Sequence, residues 1–258
     1  MALHIERFGQ PRRDTDRVAK ATTALVHGFT QNANCWGPFA NGLAADGPLL
    51  AIDLPGHGRS AHDDADLPTA AELTSAAIAY AGGASTWIGY SMGGRVLLHA
   101  ALAAPASIGR LVLIGATPGI INKADRSKRQ SVDNRLADRL LADGLDSFLD
   151  FWLDLPLFAN LSPAASARTS RQTNRPEGLA ASLRNCGTGT QAPLWDRLGE
   201  LSMPVLIIAG DHDKKFCTIG RDMALAIGAN ADFVVIEGAG HACHLEDPAA
   251  TAAVITAV

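Results

Sequence analysis

The pentapeptide at residues 89–93, Gly-Tyr-Ser-Met-Gly, constrains this chain more than any other stretch. A short apolar run with β-branched and aromatic side chains precedes it at residues 85–88, and a run of helical period follows at residues 95–102. A tight turn from strand to helix needs small residues on either side, because the backbone is crowded there. The pattern predicts a nucleophile elbow that holds the hydroxyl of Ser91 at a sheet edge, beside the positive end of a helix.

Apolar runs and helical stretches alternate through much of the remaining chain. A helical, alanine-rich stretch covers residues 69–81, and further strands are predicted at residues 22–26, 49–53, 111–114, 205–209 and 233–236. Continuous apolar strands separated by helices are typical of a mostly parallel sheet covered on both faces. The predicted fold class is therefore α/β.

The strand pattern stops between residues 117 and 198. Helical periods replace it at residues 126–142, 145–155 and 178–184. This arrangement predicts a core formed by residues 1–116 and 199–258, with residues 117–198 inserted as a helical cap. Because ligands of open α/β sheets bind at the carboxyl ends of the strands, we expect the cap to form the roof of the pocket.

Two late loops supply candidate partners for Ser91. Asp213 follows the strand at residues 205–209 at a suitable spacing, while Asp211 is expected to cap the turn instead. His241 follows the last strand within the small-residue sequence Gly-Ala-Gly-His. The chain order serine, aspartate, histidine is that of the α/β-hydrolase catalytic triad. The predicted fold is accordingly the α/β-hydrolase fold.

Two backbone amides are expected to complete the site. The amide of Phe29 lies in the loop after the strand at residues 22–26, and the amide of Met92 directly follows the serine. Amides at these two positions form the oxyanion hole in elbow enzymes. Two other histidines, His57 and His244, have no charged partner nearby in sequence. We interpret both as structural residues.

Composition limits the classes of partner. The net charge of −4 and the lack of a basic tail argue against nucleic-acid binding. No stretch is apolar enough to span a membrane, and the first residues lack the apolar core of a signal peptide. The four cysteines are far apart, which favours reduced thiols in the cytoplasm. We predict a cytoplasmic protein that acts on a small molecule without a metal or cofactor.

One cap segment resembles a particular family. Residues 175–191, followed by Trp195, are similar to the cap signature of the MenH family, the 2-succinyl-6-hydroxy-2,4-cyclohexadiene-1-carboxylate synthases of menaquinone biosynthesis. Residues 89–95, 213–216 and 238–241 match as well, so that the resemblance covers essentially the whole chain. Cys186 is a small departure, because methionine is expected at this position.

The resemblance implies a lyase rather than a hydrolase. The reaction would eliminate pyruvate from 2-succinyl-5-enolpyruvyl-6-hydroxy-3-cyclohexene-1-carboxylate, with Ser91 and His241 removing a proton and Asp213 orienting the histidine. The substrate has three carboxylates, which planar guanidinium groups bind well. The positions that match the family's carboxylate-binding arginines and aromatic pocket wall are Arg95, Arg129, Arg171, Tyr90 and Trp152.

Two other functions use the same residues. A carboxylesterase or a carbon–carbon bond hydrolase would form an acyl-enzyme on Ser91 and would favour an apolar pocket. A small-ligand receptor would keep the fold and the triad for binding alone. Arginines that face Ser91 would favour the lyase over the esterase.

Overall fold

The computed structural model describes residues 2–9, 23–44, 47–60 and 65–257. One seven-stranded sheet, with the strand order β1-β3-β2-β4-β5-β6-β7, organises this part of the chain. Only the edge pair β1 and β3 is antiparallel, and the five other pairs are parallel. The strands are β1 (Ile5–Phe8), β2 (Thr23–Val26), β3 (Leu49–Ile52), β4 (Thr86–Tyr90), β5 (Arg110–Ile114), β6 (Val205–Gly210) and β7 (Ala231–Ile236). The mostly parallel sheet confirms the predicted fold class.

The two faces of the sheet carry separate apolar cores. Along β5, Leu111 and Leu113 pack into one core, whereas Val112 and Ile114 pack into the other. Side chains alternate between the faces of a strand, and both faces are covered here. This double burial explains why the central strands are continuous apolar runs in the sequence.

Strand β1 was not predicted from the sequence. Its four residues, Ile-Glu-Arg-Phe, place two charged side chains between two apolar ones, and the strand is only partly buried. It lies at the edge of the sheet, where short strands with charged side chains are common. Four residues of this composition give no periodic signal that a sequence argument can use.

Nine helices cover the sheet or lie between its strands within the described ranges. They are α1 (Gly37–Ala44), α2 (Leu67–Tyr80), α3 (Met92–Ala103), α4 (Lys123–Leu153), α5 (Arg168–Arg171), α6 (Pro176–Cys186), α7 (Lys214–Ile227), α8 (Cys243–Glu246) and α9 (Pro248–Thr256). Apolar side chains of α2, α3 and α7 belong to one core, and those of α1, α8 and α9 belong to the other. None of the helices in the described residues has both the length and the apolar character needed to cross a membrane.

Residues 117–198, which we call the helical segment, connect β5 to β6 through helices and turns without any strand. Gly144 interrupts α4 with φ 77° and ψ 169°, at the point between the two helices predicted for residues 126–142 and 145–155. Leu140 and Phe148 of α4 pack with Leu179 of α6 in a third apolar cluster. The helical segment therefore has an apolar core of its own.

Candidate active site

Ser91 lies at the sharp turn between β4 and α3. Its φ is 50°, in the left-handed region that side chains with a Cβ rarely occupy. Its amide donates a hydrogen bond of 2.8 Å to the carbonyl of Ile114 on the neighbouring strand, which fixes the turn against the sheet. A Cβ at Gly93 would lie 2.0 Å from the carbonyl oxygen of Val26, so only glycine fits there. The local sequence therefore forms the predicted elbow because bulkier residues would clash with the sheet.

His241 lies between Ser91 and Asp213. Its Nε2 is 3.2 Å from the Ser91 Oγ, and its Nδ1 is 2.6 Å from the Asp213 Oδ2. His241 is 4 % exposed, so little solvent competes with these contacts. The structure thus brings the three predicted residues into one hydrogen-bonded chain, although 122 residues separate Ser91 from Asp213 in the numbering.

Asp213, rather than Asp211, contacts the histidine. Asp213 caps α7, and its Oδ1 accepts the amide of Phe216 at 3.3 Å while Oδ2 contacts His241. Asp211 lies beside His212 instead, with 3.6 Å between the Asp211 Oδ1 and the His212 Nε2. The two carboxylates therefore have different neighbours. The expected cap of the turn is not formed by the Asp211 Oδ1, which is buried without a hydrogen-bond partner among the described residues.

The loop that carries His241 is held by Glu246, a residue that the sequence analysis did not single out. The Glu246 carboxylate accepts the amide of Gly240 through Oε2 and the amide of Ala242 through Oε1, at 2.5 and 2.9 Å. These two amides flank His241 directly. Glu246 lies five residues after the histidine, and only the fold of α8 reveals that it turns back to this loop.

The two amides proposed for an oxyanion hole lie on adjacent elements. Met92 is the first residue of α3, so its amide has no partner within the helix. Phe29 follows β2 in a loop that His27 fixes from inside: its Nδ1 lies 2.8 Å from the Gly28 carbonyl, and its Nε2 accepts the Leu54 amide at 3.1 Å. These two contacts define a neutral His27 that carries its proton on Nδ1. Burial lowers the pKa of His27 to about 4, which keeps it neutral.

His57 and His244 are both buried, and neither has a hydrogen bond to Ser91 among the described residues. His57 packs 5.0 Å from the ring of His27, and burial lowers its pKa to about 3. His244, on α8, packs 4.3 Å from the ring of Tyr90 and 5.1 Å from that of Trp36. Burial lowers the pKa of His244 well below its usual value. Both environments suit neutral, structural histidines, as the sequence analysis expects.

A cavity of about 420 Å³ opens above Ser91 and His241, between the carboxyl ends of the strands and the helical segment. Nine of the ten residues predicted from the sequence line it, and Asp213 lies behind His241. The nine are Phe29, Tyr90, Ser91, Met92, Arg95, Arg129, Trp152, Arg171 and His241. No group of three or more metal-ligating side chains is found within the described ranges.

Two of the arginines in the cavity wall are almost fully buried. Arg95, 6 % exposed, lies one turn into α3 with its NH1 3.5 Å from the Gln191 Oε1, and burial lowers its pKa to about 10. Arg171, 1 % exposed, donates from Nε to the Ser166 carbonyl at 2.7 Å and from NH1 to the Thr30 hydroxyl. Its NH2 has no hydrogen-bond partner among the described residues. Both side chains line the cavity, and a guanidinium group stays protonated at neutral pH.

The third arginine, Arg129, is partly exposed and paired with an acid. Its Nε lies 2.7 Å from the Asp133 Oδ1, and the other carboxylate oxygen of Asp133 accepts the amide of Gly189 at 3.1 Å. Asp133 also lines the cavity. Neither this acid nor Lys215 of α7 was predicted from the sequence. Lys215 adds a fourth basic side chain to the wall. Lys215 lies within the matched residues 213–216, which was the available signal.

Aromatic side chains form another part of the wall. The Trp152 ring packs 5.1 Å from Phe29 and is stacked at 5.8 Å on Phe148. Tyr90 lies 5.4 Å from the ring of His241, and burial raises the pKa of its phenol. The two aromatic residues predicted from the sequence, Tyr90 and Trp152, therefore both line the cavity.

Comparison with known proteins gives a consistent result. Residues 24–254 match the model of the alpha/beta hydrolase family. The 2-succinyl-6-hydroxy-2,4-cyclohexadiene-1-carboxylate synthase of Serratia proteamaculans is 33% identical over 238 residues, which is 88% of this chain and 89% of the relative. The synthase of the same name from Salmonella typhimurium is 32% identical over 254 residues, with 96% and 95% covered. This chain belongs to the MenH family of alpha/beta hydrolases.

A solved MenH structure from S. aureus has the same overall architecture. It superposes with a TM-score of 0.88 at 31% sequence identity, and the match covers 98% of this chain and 97% of the other. Coverage of this extent includes the helical segment as well as the sheet. The MenH likeness therefore extends to the elements that form both walls of the cavity.

Proposed function

We propose that this enzyme forms 2-succinyl-6-hydroxy-2,4-cyclohexadiene-1-carboxylate by eliminating pyruvate from 2-succinyl-5-enolpyruvyl-6-hydroxy-3-cyclohexene-1-carboxylate. The observation that carries the proposal is the hydrogen-bonded series Ser91, His241 and Asp213 beside a cavity whose wall includes three arginines. The relatives from Serratia and Salmonella bear the name of this synthase. Residues 117–198 act in this proposal as the cap that selects the substrate.

The triad supplies the base. Ser91 Oγ removes the proton from ring carbon 2, which is adjacent to the succinyl ketone. The serine's own proton passes to His241 Nε2, 3.2 Å away. Asp213 holds Nδ1 of the same ring at 2.6 Å and stabilises the imidazolium that forms. The geometry thus provides a route for one proton without a bond between serine and substrate.

The oxyanion hole holds the resulting charge. Electrons from the broken C–H bond move onto the ketone oxygen, where the amides of Phe29 and Met92 donate to it, next to the positive end of α3. Collapse of this enolate forms a double bond between ring carbons 2 and 3, moves the existing one to carbons 4 and 5, and breaks the bond to the enolpyruvyl oxygen. The leaving enolpyruvate takes up the proton held by His241 and tautomerises to pyruvate, so that the triad is restored and no water is consumed.

Arg95, Arg129 and Arg171 bind the carboxylates in this proposal. Arg171 has a buried NH2 without a partner among the described residues, and a buried donor of this kind favours an anionic acceptor. Ester hydrolysis has no need for three such cations around the serine. The charge in the cavity wall therefore supports the lyase over an acyl-transfer enzyme.

Two measurements during turnover test the proposal. Mass spectrometry of rapidly quenched enzyme should show no adduct on Ser91, and turnover in oxygen-18 water should leave the cyclohexadiene product unlabelled. Product incubated in labelled water without enzyme corrects for exchange at its ketone. A trapped acyl-enzyme, or enzyme-dependent label in that product, would replace the lyase with a hydrolase. Failure of the wild-type enzyme to consume the substrate at all would refute the proposed function.

We further propose a cytoplasmic location. The four cysteines, at positions 35, 186, 217 and 243, are buried, and none of them forms a disulfide within the described ranges. Thiols that stay reduced suit a reducing compartment. Fractionation of the host cells, followed by assay of the elimination in each fraction, tests this location.

A further inference from the structure

Thr30, the residue after Phe29, has an unfavourable backbone conformation. Its φ is 66°, and its side chain is fully buried. A β-branched residue is a clear outlier in the left-handed region, because its side chain crowds the adjacent carbonyl. Such a residue keeps this conformation only when its surroundings hold it. Thr30 is therefore a point in the loop where neighbouring contacts decide the path of the backbone.

Two residues of the helical segment hold Thr30. Arg171 NH1 donates to the threonine hydroxyl, and Asn174 Nδ2 donates to the threonine carbonyl at 2.7 Å. The side-chain amide of Asn174 makes two further hydrogen bonds. Nδ2 also donates to the Arg171 carbonyl at 2.9 Å, and Oδ1 accepts the Gly58 amide at 2.6 Å. Asn174 is 5 % exposed, so water cannot readily replace these bonds.

The other side of Phe29 is fixed within the loop. The Gly28 amide donates to the Gln31 Oε1 at 3.1 Å, and the Gln31 amide donates back to the Gly28 carbonyl at 3.1 Å. The Gln31 amide belongs to the same peptide group as the Thr30 carbonyl that Asn174 holds, and the Gly28 carbonyl belongs to the same peptide group as the Phe29 amide. The direction of the Phe29 amide therefore depends on the Asn174 bond through the bond from Gln31 to Gly28.

We propose that Asn174 is a positioning residue for the oxyanion hole: it pins the Thr30 carbonyl and so aims the Phe29 amide into the cavity. The proposal rests on the function proposed above, because it takes that amide as a donor to the substrate oxyanion. It adds a link between two parts of the molecule. The helical segment that contacts the substrate also sets the geometry of a catalytic donor on the sheet.

Replacement of Asn174 by aspartate tests this link. Aspartate keeps an acceptor for the Gly58 amide but has no donor for the Thr30 carbonyl. We expect kcat to fall about tenfold or more, somewhat less than the roughly 10²–10³-fold loss when an oxyanion donor is removed outright, with KM nearly unchanged. Asn174→Ala, which loses the Gly58 contact too, provides a second variant if the aspartate enzyme does not fold.

A double-mutant cycle separates positioning from general destabilisation. Glycine adopts a φ of 66° without strain, so that Thr30→Gly removes the need for the pin. The effect of Asn174→Asp on kcat should therefore shrink to below about threefold in the Thr30→Gly background. An equal loss of kcat in both backgrounds would overturn the proposal.

Thr173→Val is the matched control. Thr173 also joins the helical segment to this loop, through a 3.0 Å bond from Asn32 Nδ2 to its hydroxyl, but within the described ranges its side chain has no hydrogen bond to Thr30. The kcat of Thr173→Val should stay near that of the wild type. A fall equal to that of Asn174→Asp would show that any weakened contact between the helical segment and this loop lowers kcat. Hydrogen exchange gives a readout independent of turnover: the peptide spanning residues 28–32 should exchange faster in Asn174→Asp. Unchanged exchange there would also overturn the proposal, while an inactive wild-type enzyme would refute only the proposed function.

Discussion

Arg129 and Asp133 form an ion pair one helical turn apart on α4, with 2.7 Å between Nε and Oδ1. The aspartate is nearly buried and accepts the Gly189 amide through its second oxygen. An acid thus lies in the wall of a cavity proposed to bind a tri-anion. Its charge alone would weaken that binding, so its value must come from holding Arg129 and the loop at Gly189 in place.

The Asp133→Asn variant distinguishes the positioning effect of Asp133 from the effect of its charge, because the two change substrate binding in opposite directions. Asparagine has the same shape but only one acceptor atom, so it cannot satisfy both Arg129 and Gly189. If position matters more than charge, kcat/KM for the elimination should fall about tenfold, or ~1.4 kcal/mol. If charge matters more, KM should fall instead, because one negative charge has been removed.

Asp138→Asn is the control for Asp133→Asn. Asp138 lies on the same helix and pairs with Arg184 at 2.7 Å, but its side chain is 70% exposed and is not part of the cavity wall. Kinetics of this variant should match those of the wild type. Similar effects at positions 133 and 138 would show that charge on α4, rather than the placement of Arg129, controls binding.

Ser91 and His241 should behave as one unit. Ser91→Ala and His241→Ala are each expected to lower kcat by about 10³-fold or more, and the double variant should lose little further activity. His244→Phe is the control, since it keeps an aromatic ring next to Tyr90. Near-normal turnover by His241→Ala, together with an inactive His244→Phe, would show that His241 is not the base.

The arginines of the cavity wall should contribute to substrate binding individually. Arg95→Ala, Arg129→Ala and Arg171→Ala are each expected to cost on the order of 2 to 4 kcal/mol in kcat/KM, because a charge-assisted contact is lost. Arg135→Ala, at an exposed position of α4, is the control and should have little effect. Circular dichroism checks that each variant is folded. Equal losses at positions 129 and 135 would contradict a specific role for Arg129.

The buried histidines predict sensitivity to acid. Burial lowers the pKa of His27 to about 4 and that of His57 to about 3, whereas both titrate near their usual value of about 6.5 when unfolded. The unfolded chain therefore binds more protons below about pH 6.5, and stability falls as the pH drops from there toward the folded pKa values. Each histidine should cost on the order of 2 kcal/mol by pH 5. Urea unfolding at pH 7.5 and pH 5 measures the loss.

His244→Phe tests the origin of this acid sensitivity. The ring nitrogens of His244 have no hydrogen-bond partner among the described residues, so phenylalanine removes a titrating group without breaking such a bond. The difference between the urea midpoints at the two pH values should become smaller in this variant. An unchanged difference would place the acid-sensitive groups elsewhere.

The sequence predicted those parts of the site that depend on local sterics or on strand order. The elbow at Ser91 follows from glycines that no larger residue can replace, and the positions of Asp213 and His241 follow from the ends of parallel strands. These features are written in short stretches of residues. For that reason the triad could be named before any contact was known.

The supporting contacts could not be predicted in the same way. The bond between Asn174 and Thr30 joins residues 144 positions apart, and that between Gly189 and Asp133 spans 56. Each depends on how the helical segment docks on the sheet and folds on itself, which no local pattern encodes. Glu246 is nearer to the residues it holds, but its role depends on the turn of α8. Sequence patterns thus located the proposed reacting groups more readily than the groups that hold them.

The left-handed backbone of Ser91 also affects the stability of the fold. With φ at 50°, serine is less stable at this turn than glycine would be, and the difference is on the order of 1 kcal/mol. Exchange of this serine for glycine would therefore relieve the backbone and raise the free energy of unfolding. The proposed reaction needs the Ser91 hydroxyl, so in this proposal the protein keeps a less stable turn in order to hold a reactive oxygen there.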